Sequence, residues 1–227
     1  MVAPENVFMA LDYAGVAVFA ATGALAAAKI RGDIITFAFF AAVTGVGGGT
    51  LRDVLLDVPV FWVRSPGYVA VCLAMAVLVW FTGGPRRWRE QALLWLDAVG
   101  VSGYAILGAS KALAVGVHPL IAAIMGMLTA CFGGVIRDVL AREPSAIIKR
   151  EIYVTAAILG AGSYALLVTL GVMPRYAMVI AFSAAFLLRS GAMVYGWYLP
   201  AFPDAQAPPR IRSRLSEDES KPGEQKS

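Results

Sequence analysis

Thr44-Gly45-Val46-Gly47-Gly48-Gly49-Thr50-Leu51-Arg52-Asp53 lies inside an apolar stretch, 34–57, that is long enough to cross a bilayer. Three consecutive glycines predict a break or unwinding there, because glycine costs about 1 kcal/mol against alanine in a helix. An Arg-Asp pair follows directly. Phosphate-binding readings fail on spacing: a dinucleotide fingerprint starting at Gly45 needs a glycine where Thr50 stands, and no Gly-Lys-Ser/Thr follows for a P-loop. The expectation is a broken membrane helix carrying charge. Such irregular backbone is tolerated in a bilayer where it is buried in protein or lines a wet cavity.

The same pattern returns 85 residues later as Thr129-Ala130-Cys131-Phe132-Gly133-Gly134-Val135-Ile136-Arg137-Asp138. Without a gap, Asp12 falls on Asp97, Gly15 on Gly100, Gly23 on Gly108, Pro59 on Pro144 and Tyr68 on Tyr153. Residues 11–70 and 96–155 share 19 identities in 60. Shared apolar composition does not account for matched Gly, Arg, Asp and Pro, so the chain reads as an internal duplication. The second copy has lost one glycine of the run, which predicts a milder break there.

Of the 227 residues, 59% are hydrophobic and 15% charged. A soluble domain carries about 25% charged residues, so the class is an all-α integral membrane protein. The net charge of +4 has no accompanying basic-aromatic patch and reads as topology rather than nucleic-acid binding. Cys72 and Cys131 lie in separate apolar segments and read as buried free thiols. No cluster has metal-ligand spacing, no Ser-His-Asp or Cys-His arrangement suggests hydrolysis, and no cofactor motif is present, so an enzyme is not expected. The first residues carry Glu5 and Asp12 rather than a basic run, unlike a cleaved signal peptide.

Seven apolar segments can be drawn at approximately 8–28, 34–57, 66–82, 92–114, 118–141, 151–171 and 176–198. They divide the chain into a first three-helix repeat with its basic loop (1–90), a second repeat (91–172), a lone seventh segment (173–199) and a disordered tail (200–227). An odd number of segments per repeat forces the repeats into opposite orientations, which gives a 3+3 inverted topology plus one. Folds of this kind place sites at the repeat interface, on discontinuous helices near the midplane. Lys29, Arg31, Arg86, Arg87, Arg89, Arg142, Lys149, Arg150, Arg210, Arg212 and Arg214 collect on one side. The other has Arg64 and Arg175, with Lys111 near it. The basic side is predicted to be cytoplasmic, with the N-terminus outside and the C-terminus inside.

Ionisable residues inside a membrane need a partner or a purpose. Depth permits an Asp12–Arg52 pair near the outer side, and the repeat then predicts an Asp97–Arg137 pair near the inner side. These pairs could clamp the repeats or shape a polar path. Asp53 and Asp138 could cap, pair or face water. Lys111 falls on Ala26 and so breaks the symmetry. Arg189 lies about 13 Å from the inner end of its segment and should pair with a carboxylate of the bundle. His118 precedes Pro119 and reads as a joint residue at a helix start.

On these residues the chain resembles the prokaryotic trimeric intracellular cation channel family. The resemblance rests on Gly-Gly-Gly-Thr-Leu-Arg-Asp in segment 2, Gly108-Ala109-Ser110-Lys111-Ala112-Leu113 in segment 4, Thr129 to Leu140 in segment 5, and Arg189 with Trp197-Tyr198-Leu199-Pro200. It covers about residues 7–200. It implies seven transmembrane helices, a homotrimer in the plasma (inner) membrane of a prokaryote, and one pore per protomer bounded by kinked helices 2 and 5. That pore would conduct monovalent cations, chiefly potassium. The same sequence family has carried the label of a glycine transporter.

The expected function is therefore a potassium-permeable channel in contact with membrane lipids. Freed carbonyls at Gly47, Gly48, Gly49, Gly133 and Gly134 would offer oxygens to the ion, and Thr44, Thr50 and Thr129 could add hydroxyls. Nothing resembles the Thr-Val-Gly-Tyr-Gly filter, so selectivity over sodium is expected to be modest. Lys111 or Arg137 would act as a gate that swings toward Asp97 or Asp138. The alternative is a secondary transporter of a small zwitterion such as glycine, gripped by the broken helices.

Overall fold

Asp33 closes the first basic joint by capping the helix that follows. Its Oδ1 accepts from the Thr36 backbone N–H at 2.8 Å and from the Thr36 hydroxyl at 2.7 Å. The computed structural model describes residues 4–82, 85–143 and 152–197. Among these are eight α-helices: α1 (Pro4–Lys29), α2 (Ile34–Leu55), α3 (Phe61–Arg64), α4 (Gly67–Thr82), α5 (Arg86–Ala114), α6 (Pro119–Leu140), α7 (Val154–Thr169) and α8 (Pro174–Tyr195). Five of them, α1, α2, α5, α6 and α8, are long and apolar enough to span a bilayer, while α4 and α7 are apolar but shorter. The one-turn α3 was not expected. α5 begins at Arg86, so the basic stretch expected as a joint is its first turn. The tail from 200 to 227, with Lys149, Arg150, Arg210, Arg212 and Arg214, lies outside the described residues.

The helices do not break at their glycines. α2 runs continuously through Gly47-Gly48-Gly49, and α6 through Gly133-Gly134. The reason is packing. A Cβ on Gly48 would strike the Thr129 carbonyl oxygen, and one on Gly133 would sit 2.7 Å from the Thr44 carbonyl oxygen. A Cβ on Gly49 would come 2.6 Å from the Phe61 ring and one on Gly134 2.5 Å from the Tyr153 hydroxyl. The glycines let α2 and α6 touch backbone to backbone, as small residues do between membrane helices. Unwinding them would strand polar backbone groups in apolar surroundings. No carbonyls are therefore freed at these positions to coordinate an ion.

The central helices are α1, α2, α5 and α6. α4 packs on α1 and α2; α7 packs on α5 and α6; α8 lies against α7 and α5. Much of the interior is small, with Ala20, Ala24, Ala27, Ala105, Ala109 and Ala112 fully inaccessible beside buried rings such as Phe19, Phe40 and Tyr104. Large apolar groups such as Ile35, Phe81, Leu170 and Leu187 face outward. This reverses the arrangement of a soluble core and suits a lipid surround, where close van der Waals contact rather than hydrophobic burial holds helices together.

Helix ends follow the 85-residue shift as well. α2 ends with Asp57 in the left-handed region and Val58 N–H donating to the Asp53 carbonyl oxygen at 3.0 Å. α6 ends with Arg142 there and Glu143 N–H donating to the Asp138 carbonyl oxygen at 2.9 Å. α1 turns at Arg31 (φ 57°) where α5 turns at Gly116 (φ 89°). His118 caps α6, its Nδ1 accepting from the Leu120 N–H at 3.2 Å with Pro119 in the first turn.

Candidate functional site

The crossing of α2 and α6 carries a group of charges at each end. At the end shared by α2, α3 and the last turn of α5, Arg52 Nε donates to Asp53 Oδ1 at 2.8 Å. Lys111 Nζ reaches from α5 to the same carboxylate, 2.8 Å from Oδ1 and 3.0 Å from Oδ2. Asp53 is wholly buried and the Lys111 side chain 35% exposed, so the lysine bridges solvent and interior. The Phe61 N–H supplies a further donor to Asp53 Oδ2 at 3.0 Å. Asp12 accepts instead from the Tyr68 hydroxyl at 3.0 Å. The expected Asp12–Arg52 ion pair is thus replaced by Arg52–Asp53. Adjacent residues at the end of α2 meet through the guanidinium, while Tyr68 on α4 reaches Asp12 on α1 first.

At the opposite end, Arg137 Nη1 donates to Asp97 Oδ1 at 2.8 Å, and its Nε and Nη2 bind Asp138 Oδ1 at 3.0 and 2.9 Å. The Arg137 and Asp97 side chains are each only 4% exposed. The Arg189 guanidinium lies 5.1 Å from the centre of the Tyr153 ring, and Tyr153 sits in the field of Asp97, Arg137 and Asp138. The Tyr153 hydroxyl is buried without a hydrogen-bond partner among the described residues.

The two groups have the same formal balance. Asp12, Arg52, Asp53 and Lys111 sum to zero, as do Asp97, Arg137 and Asp138 once Arg189, held over the Tyr153 ring, is counted with them. Electroneutral clusters are the form in which ionisable side chains survive inside a bilayer, because each desolvated charge has an opposite one nearby. Three members of each correspond under the 85-residue shift. The fourth comes from elsewhere, Lys111 in one and Arg189 in the other.

Thr44 and Thr129 are buried, their hydroxyls against Gly23 and Gly108. A Cβ on those glycines would come within 2.7 and 2.6 Å of the respective Oγ1. Thr50 is half-buried; it donates to the Val46 carbonyl oxygen at 2.7 Å and accepts from Trp62 Nε1 at 2.9 Å. Gly47 faces the end of the Ile136 side chain. Sequence reasoning overlooked Phe61, Trp62, Tyr68 and Tyr153. The Tyr68–Tyr153 identity in the repeat was a usable signal; Phe61 and Trp62 gave none. A cavity of about 360 Å³ opens beside the ends of α1 and α6 and the first turns of α5. It is lined by Leu25, Ala28, Lys29, Arg31, Arg89, Glu90, Leu93 and Glu143, with Lys29 paired to Glu143 at 2.8 Å. Among the described residues no group of three or more His, Cys, Asp or Glu could hold a metal ion.

Apolar helices with small side chains inward, large ones outward and neutral ion clusters at both ends of one crossing define a multi-pass integral membrane protein. The sequence profile described as "Glycine transporter" matches it over residues 9–83 and again over 94–169. The chain is 40% identical over 195 residues to the UPF0126 inner membrane protein YadS of Escherichia coli (strain K12), covering 85% of this chain and 94% of that one. It is 32% identical over 198 residues to the UPF0126 membrane protein YvgT of Bacillus subtilis (strain 168), covering 84% and 94%. Among solved structures it is similar to the TRIC trimeric intracellular cation channel orthologue from Rhodobacter sphaeroides, with TM-score 0.81, 47% identity and coverage of 84% and 99%. A structure described as the basis for conductance through TRIC cation channels matches with TM-score 0.79, 31% identity and coverage of 88% and 100%. The chain belongs to the trimeric intracellular cation (TRIC) channel family.

Proposed function

We propose that the protein is a potassium-permeable cation channel that assembles as a homotrimer, with one path per protomer running along the α2–α6 crossing. The observation that carries this reading is the pair of electroneutral charge clusters at the two ends of that crossing, in a chain similar over most of its length to cation channels. A hydrated cation entering either end meets carboxylates held by basic groups that can exchange partners. The wide difference in burial supports different roles for the two ends. Lys111, partly exposed, is the mobile gate; Arg137, almost inaccessible, is the clamp. Without a ring of filter carbonyls, discrimination between potassium and sodium is modest.

The architecture proposed with this function is seven spans in a 3+3 inverted repeat plus one. Contacts that interchange under the 85-residue shift support it. Gly48 meets the Thr129 carbonyl and Gly133 the Thr44 carbonyl; Gly15 meets the Tyr104 ring and Gly100 the Phe19 ring. Such reciprocity is the signature of a pseudo-two-fold axis. The two matches of one family profile, 85 residues apart, also support it. The basic ends of α1 and α5 orient this side to the cytoplasm of a prokaryotic cell, with the N-terminus outside.

Planar-bilayer recording of the purified protein in a KCl gradient tests the function. Discrete steps that reverse near the potassium potential are expected. A silent bilayer with folded protein, together with saturable uptake of labelled glycine into proteoliposomes, would instead establish the second reading, transport of a small zwitterion, which the family description favours.

A further inference from the structure

α3 is a single turn, too short to hold itself together, with none of its residues buried and its main contacts to α2 and α4. Its position is set by side-chain contacts around the Asp53–Lys111 pair. Phe61 donates its backbone N–H to Asp53 Oδ2 at 3.0 Å, and Trp62 Nε1 donates to Thr50 Oγ1 at 2.9 Å. The Phe61 ring covers Gly49, the position where a Cβ would come 2.6 Å from the ring edge. It stacks edge-on against Tyr68 with centroids 4.7 Å apart, and Tyr68 in turn holds Asp12. The Arg52 guanidinium lies 5.8 Å and the Lys111 ammonium 5.9 Å from its centre, the outer limit of a cation–π contact.

One residue therefore touches every charged member of this cluster, directly or through Tyr68. The sequence makes the device one-sided. The 85-residue shift places Ala146 opposite Phe61, Ile147 opposite Trp62 and Ala26 opposite Lys111, so the aromatic turn and the lysine occur together at one end only. An element with so few contacts opens at low free-energy cost compared with the bundle beneath it.

We propose that α3 is a lid over the Asp53–Lys111 pair, and that Phe61 is the positioning residue that holds this pair closed. Phe61 does not coordinate the ion. It fixes the carboxylate through its N–H and confines the ammonium with its ring, and lifting it frees Lys111 to leave Asp53. That this motion gates cations rests on the channel reading above.

Two readouts separate the lid from the channel. In detergent-solubilised full-length protein, acylation of Lys111 by a water-soluble N-hydroxysuccinimide ester is followed by peptide mass spectrometry, with Lys29 at the opposite end as internal reference. In proteoliposomes, potassium flux is measured on the same variants. Phe61→Ala is expected to raise Lys111 labelling relative to Lys29 about fivefold, the scale of losing a partly desolvated cation–π contact, and to raise flux. Phe61→Tyr, which keeps ring and N–H, is expected to match wild type in both. Trp62→Phe, which removes only the bond to Thr50, moves both readouts in the same direction by less, and decides the matter if Phe61→Ala does not fold. A labelling ratio unchanged in Phe61→Ala, or in Trp62→Phe where that variant decides, overturns the lid. So does a wild type that conducts with flux unchanged in a variant whose labelling has risen. Raised labelling with no flux from wild type or any variant retains the lid and removes the channel reading.

Discussion

Gly48 and Gly162 are both helical glycines, yet a methyl group has opposite consequences at the two. At Gly48 the new Cβ meets the backbone oxygen of Thr129, which cannot rotate away, so Gly48→Ala must push α2 from α6. At Gly162 nothing lies within 4 Å. Gly48→Ala is expected to lower stability by about 1–3 kcal/mol, the usual cost of overpacking. Gly162→Ala is expected to be neutral or to raise stability by up to about 1 kcal/mol through helix propensity. Thermal unfolding followed by size-exclusion chromatography reads both. The same contrast of surroundings separates the cations. Arg137→Ala leaves Asp97 and Asp138 without their nearest cation in the interior, and a loss of about 3–5 kcal/mol is expected. Lys111→Ala removes a partly exposed ammonium from a carboxylate that retains Arg52 and the Phe61 N–H, so stability should fall by only about 1 kcal/mol or less. Open probability rather than folding should register the Lys111 change.

At the scale of elements, the joint between α1 and α2 is the informative one. Arg31 occupies the left-handed region at the same turn where α5 uses Gly116. A residue with a Cβ there costs about 1–2 kcal/mol, so Arg31→Gly should stabilise the end of α1 by an amount of that order. A rise in unfolding temperature checks it, and a fall would mean that the Arg31 side chain contributes more at the cavity beside Lys29 than its backbone costs. Across the joint, the Thr36 hydroxyl and N–H hold the Asp33 carboxyl below its ordinary pKa. With the folded pKa depressed, the cap contributes above the ordinary carboxylate range and is lost as pH falls through the folded value. The difference in unfolding temperature between wild type and Asp33→Ala should be largest at neutral pH and close in acid.

For the molecule as a whole, the two buried charge clusters are alike in formal total but differ in access. One end has a partly exposed lysine under an aromatic turn, the other an arginine sealed against Tyr153 and Asp97. The proposed orientation puts α3 outside. In a Cys72- and Cys131-free background, Val63→Cys should react with an impermeant maleimide added to intact cells and Trp88→Cys should not, since both positions are exposed, Val63 in α3 ahead of the start of α4 and Trp88 in the first turn of α5 beyond the end of α4. The reverse pattern would invert the topology and with it the side from which Lys111 is reached.

The membrane class, the duplication and the positions of the charges within the apolar segments are legible in the sequence. Apolar length and the 85-residue identities are local or linear properties, and no packing is needed to read them. The continuity of α2 and α6 was not legible. The glycine run lowers helix propensity, and only the approach of a second backbone, at Thr129 over Gly48 and Thr44 under Gly133, shows that the missing side chains serve contact rather than unwinding. The partner of Arg52 was not legible in one dimension either: depth pointed to Asp12, and the carboxylate that Arg52 binds is the adjacent Asp53. Tyr68, arriving from α4, takes Asp12, while Lys111, arriving from α5, joins Arg52 on Asp53. Pairing in a buried cluster depends on which helices meet and on the reach of each side chain, and that is fixed by the tertiary structure alone.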